Sequence, residues 1–367
     1  MLQDTRRTPR PVLTLLVTLL ATLLVASPAV AQDGAPYSFS APVFDIDAAS
    51  DGSIVVAAGT SVMLIKDGAL VHIADVPVPA TTPPSALNGV AAIGDRNFWL
   101  TSGGGDMADG AALWRATPGG ARLVGDIDAF ETQHDPDALA GTQWKDPRCE
   151  EDPVQGFSAG PQSNPYHVAA QSGGEALVAD AAGNSLLAGR ADGRIELAAV
   201  FTPPVDTAGN YRVLFPLDAE TDCYVQPVPT SVAIGPDGAY YVGELTGAPA
   251  VPGWSRVWRV EPGARGVTCP SAACTEVISG LTSVIDVAFG PDGRLYVVEY
   301  DANGWLAVFL GNPAGGSVKS CDVASGSCTT VVSGLTLPGA ITFDKSGDAW
   351  LLESNIVAPT VHRLTLP

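Results

Sequence analysis

Four carboxylates recur at one register of this chain. Asp180, Glu244, Glu299 and Glu353 each stand six residues after a turn glycine, at Gly174, Gly238, Gly293 and Gly347. Acids at equivalent points of a repeat can do two kinds of chemistry. They can form a ring of oxygen ligands for a hard cation such as calcium, or a trap for a cationic ligand. Alternatively each can accept backbone N–H bonds at a strand end, a structural role that repetition favours over one asymmetric site. A second register, seven residues before the same turn positions, reads Asp45, Gly89, His167, Ser231, Asp286 and Ala340. Its irregularity is what a site evolved on a repeating scaffold should show. Asp45, Asp286 and His167, with Ser231 beside them, can hold a metal, calcium included, or act as acid and base. Their structural alternative is to bind channel waters and do no chemistry.

Other chemistry is thinner. His134 to Ala138, "HDPDA", can bind a cation, against the alternative of a solvated acidic loop, and His72 and His362 read as surface residues of outer strands. There is no phosphate-cradling glycine loop opening a helix.

The two registers need a scaffold that repeats. Anchored on Gly52, Arg96, Gly174, Gly238, Gly293 and Gly347, six copies align. Six residues before the anchor stand Ile46, Val90, Val168, Val232, Val287 and Ile341; four after it stand Val56, Leu100, Val178, Val242, Val297 and Leu351. Every one is aliphatic. Pro-Asp-Gly, as at Pro236 to Gly238, marks a hairpin turn closed by a left-handed glycine, which sets each aliphatic pair face to face across two strands. Two more strands complete each unit: "SRVWRVEPG" then "CTEVISGL" in the fourth, "GWLAVFLG" then "CTTVVSGL" in the fifth. Six such units predict an all-β, six-bladed β-propeller with four-stranded blades. A β-solenoid is the alternative, but units of about 56 residues are far longer than a solenoid coil.

Strand counting predicts the closure. The last unit ends at its third strand, "PTVHRLTLP", and one strand too many precedes the first unit, so Tyr37 to Ala41 should pair beside Val361 to Leu366. Long insertions at about 127–165 and 201–229 join one blade to the next and emerge on one face. Cys269–Cys274 and Cys321–Cys328 are then the natural local disulfides, leaving Cys149–Cys223 to tie the two insertions together.

Composition places the chain outside the cytoplasm. A basic start at Arg6, Arg7 and Arg10, the apolar "PVLTLLVTLLATLLVA" and "AVA" at 29–31 are the layout of a signal peptide, residues 1–31, cleaved after Ala31. An uncleaved anchor is the alternative, and Sec export fits better than twin-arginine export. Six cysteines without a Cys-x-x-Cys pair fit an oxidising compartment rather than zinc. The remaining residues, 32–367, read as a single domain. Of the whole chain's charges, 39 acids oppose 19 Lys and Arg, a net −20 that repels nucleic acid and anionic lipid. A second apolar run long enough to cross a membrane is absent.

"SNPYHVAA", "ALVADAAGNSLL" and "VPTSVAIGPDGAYYVGELTG" resemble the ScyD/ScyE family of secreted propeller proteins, and the likeness covers nearly all of 32–367. The family's Asn-Pro-Asp segment stands here as His134-Asp135-Pro136-Asp137. Its motif positions fall on Ser163 to Tyr166 (Asn164 and Tyr166 among them), Asp180, Asn184 and Glu244. The resemblance implies an extracytoplasmic accessory protein and carries over no catalytic residues. More broadly the chain is similar to lactonase and sugar-dehydrogenase propellers of NHL/SMP-30-like architecture. It has Pro42-Val43-Phe44-Asp45 where the gluconolactonase group has Glu-Gly-Pro.

Together these readings predict a secreted, monomeric, non-catalytic propeller that binds a small ligand or protein partner on the face of the long loops. The alternative is a calcium-dependent hydrolase, lactonase or sugar oxidoreductase using the channel-mouth carboxylates, and a purely structural envelope protein is the third reading.

Overall fold

The repeat folds as its register demands. The computed structural model describes residues 32–81, 85–103, 110–140, 161–216, 218–219 and 222–367. Residues 1–31, predicted to be a signal peptide, and Cys149 lie outside the described residues. The first strand, β1 (Gln32–Ser38), belongs to the last blade. Blade one is β2 (Val43–Ala48), β3 (Ile54–Ala58), β4 (Ser61–Lys66) and β5 (Ala69–Asp75). Blade two is β6 (Ala86–Ala92), β7 (Phe98–Gly103), β8 (Ala112–Thr117) and β9 (Gly120–Asp126). After α1 (Ile127–His134) and a 3-10 turn (Pro136–Ala140), blade three takes β10 (Pro165–Gln171), β11 (Glu175–Asp180), β12 (Ser185–Arg190) and β13 (Ile195–Val200). The second insertion carries its own hairpin, β14 (Val213–Pro216) and β15 (Asp222–Tyr224). Blade four is β16 (Pro229–Ile234), β17 (Tyr240–Glu244), β18 (Ser255–Val260) and, beyond the short β19 (Val267–Thr268), β20 (Cys274–Leu281). Blade five is β21 (Val284–Phe289), β22 (Leu295–Glu299), β23 (Gly316–Asp322) and β24 (Ser327–Leu335), with α2 (Trp305–Phe309) between β22 and β23. Blade six is β25 (Ala340–Phe343), β26 (Ala349–Glu353) and β27 (Thr360–Leu364), completed by β1. The chain is a six-bladed β-propeller.

All six aliphatic pairs lie in register across their hairpins: Ile46 on Val56, Val90 on Leu100, Val168 on Val178, Val232 on Val242, Val287 on Val297 and Ile341 on Leu351. The turn imposes this. Gly238 and Gly293 sit at φ +77° and +76°, which a residue with a Cβ adopts only at a cost. The core then forms between blades; Phe201, Tyr240 and Trp258 fill the seam of blades three and four. The closure is as expected, and it starts earlier in the chain: Gln32 pairs with Leu364, Tyr37 with Val361 and Ser38 with Thr360.

Three expectations change. "GWLAVFLG" is not the third strand of blade five: Trp305–Phe309 is helical, and the strand is Gly316–Asp322. An unbroken apolar run carries no strand alternation. Asp301 also holds the segment as a loop by accepting the N–H groups of Asn303, Ala314 and Gly315. His362 is not on the surface. It lies on β27 opposite Leu351, 1% exposed, where burial lowers its pKa. Lastly, "HDPDA" is not a solvated loop, because Asp126 caps α1 through the Ala129 N–H and the chain beyond the helix folds inward to bury Asp137.

Both local disulfides form. Cys321–Cys328 joins directly opposed residues of β23 and β24. Cys269–Cys274 does more than clip a hairpin: Cys269 follows β19, which adds to blade three as a fifth strand parallel to β13. That bridge therefore ties blade three to blade four. Cys223 is disulfide-bonded as well, while its expected partner Cys149 falls outside the described residues. Among the described residues no helix is long and apolar enough to cross a membrane.

Candidate functional site

The channel-mouth register has an order that its residue types half conceal. Large polar residues stand in blades one, three and five (Asp45, His167, Asp286), and small ones in blades two, four and six (Gly89, Ser231, Ala340). Each large residue accepts a backbone N–H from the next blade's innermost strand. Val90 donates to Asp45 Oδ2 at 2.8 Å, Val232 to His167 Nδ1 at 3.4 Å, and Ile341 to Asp286 Oδ2 at 2.8 Å. The small residues leave room for this. A Cβ at Gly89 would sit 2.9 Å from His167 Cα. Three blade seams are thus fastened at the axis.

The same three side chains meet each other. His167 Nε2 lies 3.4 Å from Asp45 Oδ1 and 3.4 Å from Asp286 Oδ1. Both carboxylates are buried, and each Oδ1 also accepts the N–H of the following residue, Ile46 or Val287, at 2.8 Å. The three facing atoms lie within 4.8 Å of one another, so the trio can hold a metal ion. The backbone bears on which role it takes. Burial opposes charge on His167, but Asp45, Asp286 and Asp47 outweigh it and push the pKa up to about 9. Burial raises the Asp286 pKa too. The Val232 N–H aimed at Nδ1 opposes a proton there. The neutral ring form that satisfies both neighbours carries its proton on Nε2, between the two carboxylates, while the doubly protonated ring that the acids favour gives up the Val232 N–H. A metal on Nε2 requires the proton on Nδ1, facing the Val232 N–H.

On the side of the turns, an axial channel of about 310 Å³ runs past His167, lined by Asp47, Ala92, Ala169, Ala233 and Ala288 among others. On the side of the long loops, Phe44 and Tyr166 meet edge to face at 6.1 Å, one residue before Asp45 and His167. Ser231 is buried but does not join the trio: its hydroxyl faces Gly243, where a Cβ would lie 2.6 Å from it.

The rim carboxylates are spent on structure. Glu299 accepts the Thr282 N–H and Glu353 the Thr336 N–H, both at 2.8 Å, and each donor stands seventeen residues earlier at the entrance to the blade. Asp180 accepts the Asn164 N–H at 2.7 Å in the same way. Glu244 cannot, because the residue seventeen before it is Pro227, which has no N–H. It takes Arg256 instead, directly opposite on β18, with Nη2 at 2.8 Å from both carboxylate oxygens and the Trp258 indole N–H at 2.7 Å. Among the described residues these four acids form no metal-holding group with one another.

Two motif asparagines organise the loop face. Asn184, in the left-handed region at φ +48°, donates to Asp137 Oδ2 at 3.0 Å and accepts the Val228 N–H at 3.0 Å, so it touches both insertions. Asn164 Oδ1 accepts Asn88 Nδ2 at 2.9 Å, linking blades two and three. Arg256 and Glu131 escaped the sequence reading. Arg256 had a signal, a cation opposite Glu244 in a buried strand; Glu131 had only its spacing from Asp135.

Burial raises the pKa of Asp180 to about 6 and of Glu244 to about 7. Folded pKa values above the unfolded ones mean that the folded chain holds more protons between pH 4 and 7. Stability must then fall as pH rises through that window. Urea unfolding in chelator should show the protein about 2–4 kcal/mol more stable at pH 5 than at pH 7.5, on about 1.4 kcal/mol per shifted unit. A maximum at neutral pH would show that these two acids are ionised in the fold at no cost.

No family model and no curated protein matches this chain. Among solved structures it is similar to a gluconolactonase from Xanthomonas campestris (14% identity over 92% of this chain and 98% of that one, TM-score 0.53). It is likewise similar to the PQQ-bound aldose sugar dehydrogenase of Streptomyces coelicolor, at 10% identity over 92% and 99% of the chains, TM-score 0.53. A putative glucose dehydrogenase of Thermus thermophilus matches at 12% identity over 90% and 100%, TM-score 0.51. At such identities the likeness is one of fold alone, the six-bladed propeller.

Proposed function

We propose that this chain is an extracytoplasmic binding propeller of the ScyD/ScyE type, which takes its ligand on the face of the long loops and performs no chemistry at the axis. One observation carries the reading. Among the described residues the acid–base trio at the channel mouth is held by its own fold, Asp45 and Asp286 each accepting a backbone N–H from the next blade and both facing His167 Nε2. The loop face, by contrast, bears exposed apolar side chains on its second-to-third strand connections: Phe309 and Leu310 in blade five, Ile356 and Val357 in blade six. Two short disulfides fit an oxidising compartment.

The second reading, a metal-dependent hydrolase or sugar oxidoreductase, draws on the 4.8 Å grouping of Asp45, His167 and Asp286. The two part in one experiment. Purified protein with calcium is offered gluconolactone, or glucose with PQQ, and turnover is expected to stay at the buffer rate. A rate that falls about 100-fold in Asp286→Asn overturns the proposal. In parallel, the native protein should bind the apolar dye Nile red, with affinity about tenfold weaker after Leu310→Ser with Val357→Ser. Unchanged dye binding would move the binding face elsewhere.

A further inference from the structure

The axial channel is closed at one end. Asp45, His167 and Asp286 meet on the axis, with their facing atoms within 4.8 Å of one another, and shut it to anything larger than an ion. What remains on the side of the turns is a blind cavity of about 310 Å³. Ligand cavities start near about 300 Å³, so this one has room for a small molecule.

Its wall differs in one blade. Five residues before the six turn anchors stand Asp47, Ala91, Ala169, Ala233, Ala288 and Thr342. Ala169, Ala233 and Ala288 line the cavity and are half-buried, facing space and not a packed neighbour. Into this apolar tube blade one alone sends a charge. Asp47 is half-buried; its Oδ1 accepts the Ala48 N–H at 2.7 Å and its Oδ2 the Ala92 N–H at 2.8 Å. The Thr342 hydroxyl of blade six lies 3.4 Å from Oδ1. An ionised carboxylate has about four lone-pair sites, so these donors leave acceptor capacity on Oδ2.

Fastening a seam does not account for Asp47. Asp45 already accepts the Val90 N–H across the same seam. The seams of blades three and four and of blades five and six hold with one such side chain each, His167 and Asp286, and have an alanine at the Asp47 register. The cation that acts on Asp47 is His167, and it faces two other acids at 3.4 Å. Three carboxylates against one imidazole leave the blind end negative.

We propose that the turn-side channel binds a small alkylammonium, its nitrogen on Asp47 and the Thr342 hydroxyl and its hydrocarbon along the alanine wall. An ammonium carries donors and no acceptor, which matches an oxygen pair of this kind. A calcium ion needs six or more oxygens, and this wall offers one carboxylate. An anion is repelled. The site goes beyond the loop-face binding proposed above and lies on the other side of the axial trio from it.

The test is calorimetric, on the full-length chain with n-butylammonium as the probe. The amine should bind with a dissociation constant of about 1 mM, and n-butanol and butyrate at least about tenfold more weakly. Asp47→Asn keeps a carbonyl for one backbone N–H and should weaken the amine at least about tenfold. Ala233→Leu, across the ring in blade four, should fill the channel and abolish binding, and it carries the test if Asp47→Asn fails to fold. The loop-face pair Leu310→Ser with Val357→Ser should leave the amine unaffected, so failure here is distinct from failure of the loop-face reading. An alkylammonium arrives either as a free amine or as a lysine side chain. Nα-acetyl-lysine amide binding within about threefold of n-butylammonium supports the side chain, and binding at least about tenfold weaker supports the free amine. The proposal falls if n-butylammonium at about 50 mM does not bind, if n-butanol matches it, or if a folded Asp47→Asn or Ala233→Leu variant binds as the native chain does.

Discussion

Deleting residues 32–41 is expected to destabilise the propeller by about 4–6 kcal/mol and leave it prone to self-association. β1 is the fourth strand of blade six, and nothing else in that sheet can replace it. Its loss removes the ladder to β27 and the Phe39 N–H bond to Pro359 at 2.9 Å, each hydrogen bond worth about 1 kcal/mol net. It also uncovers apolar surface. Tyr37 and Phe39 pack against the cluster that holds Trp350, Leu352 and Val361, and the Tyr37 and Trp350 rings stand 6.3 Å apart. The β27 edge left behind offers free N–H and C=O groups to any passing strand. Urea unfolding should show the midpoint fall, and size exclusion should show oligomers absent from the intact chain. Tyr37→Ala alone should cost about 2 kcal/mol and leave the elution volume of the intact chain unchanged. An unchanged midpoint after the deletion would mean that the ring is held by its blade seams and owes little to this strand.

Arg256→Met is the second large effect, at about 3–5 kcal/mol of lost stability. Arg256 is 5% exposed and Glu244 fully buried, so removing the guanidinium strands a carboxylate where water cannot reach it. The guanidinium also donates to the Thr202 carbonyl at 2.9 Å and lies 4.6 Å over the Trp258 ring. Arg256→Lys should rescue little, because one ammonium cannot reproduce the paired contacts to both carboxylate oxygens. Arg256→Met with Glu244→Gln should recover more than half of the loss, since the stranded charge is then gone. If the double variant is as unstable as the single one, the stacking on Trp258, and not the ion pair, carries the energy.

The blades were legible because their signal is local. A Gly at φ near +77° after Pro-Asp fixes a hairpin's register within ten residues, and register decides which side chains face the seam. Val232 opposite Val242 therefore follows from spacing alone. The third strand of blade five was not legible in the same way. Trp305 to Phe309 offers five apolar residues without alternation, and such a run is equally at home in a helix. His362 was misjudged for a related reason: alternation tells which residues share a face, but only the neighbouring blade tells whether that face is covered.

By itself, then, the sequence determined the number of blades, the pairing of their inner strands, the closure by the first strand and two of the disulfides. Each depends on turn chemistry or on counting. The tertiary structure decided everything that depends on convergence across the ring. Asp45, His167 and Asp286 are more than a hundred residues apart, and only the closed circle sets them 3.4 Å from the shared imidazole nitrogen. The alternation of large and small residues at that register was present in the chain, yet it acquires meaning only when six strands point at one axis. Asp137, Asn184 and Val228 likewise meet because two insertions fold back over one blade, and no local spacing records that return.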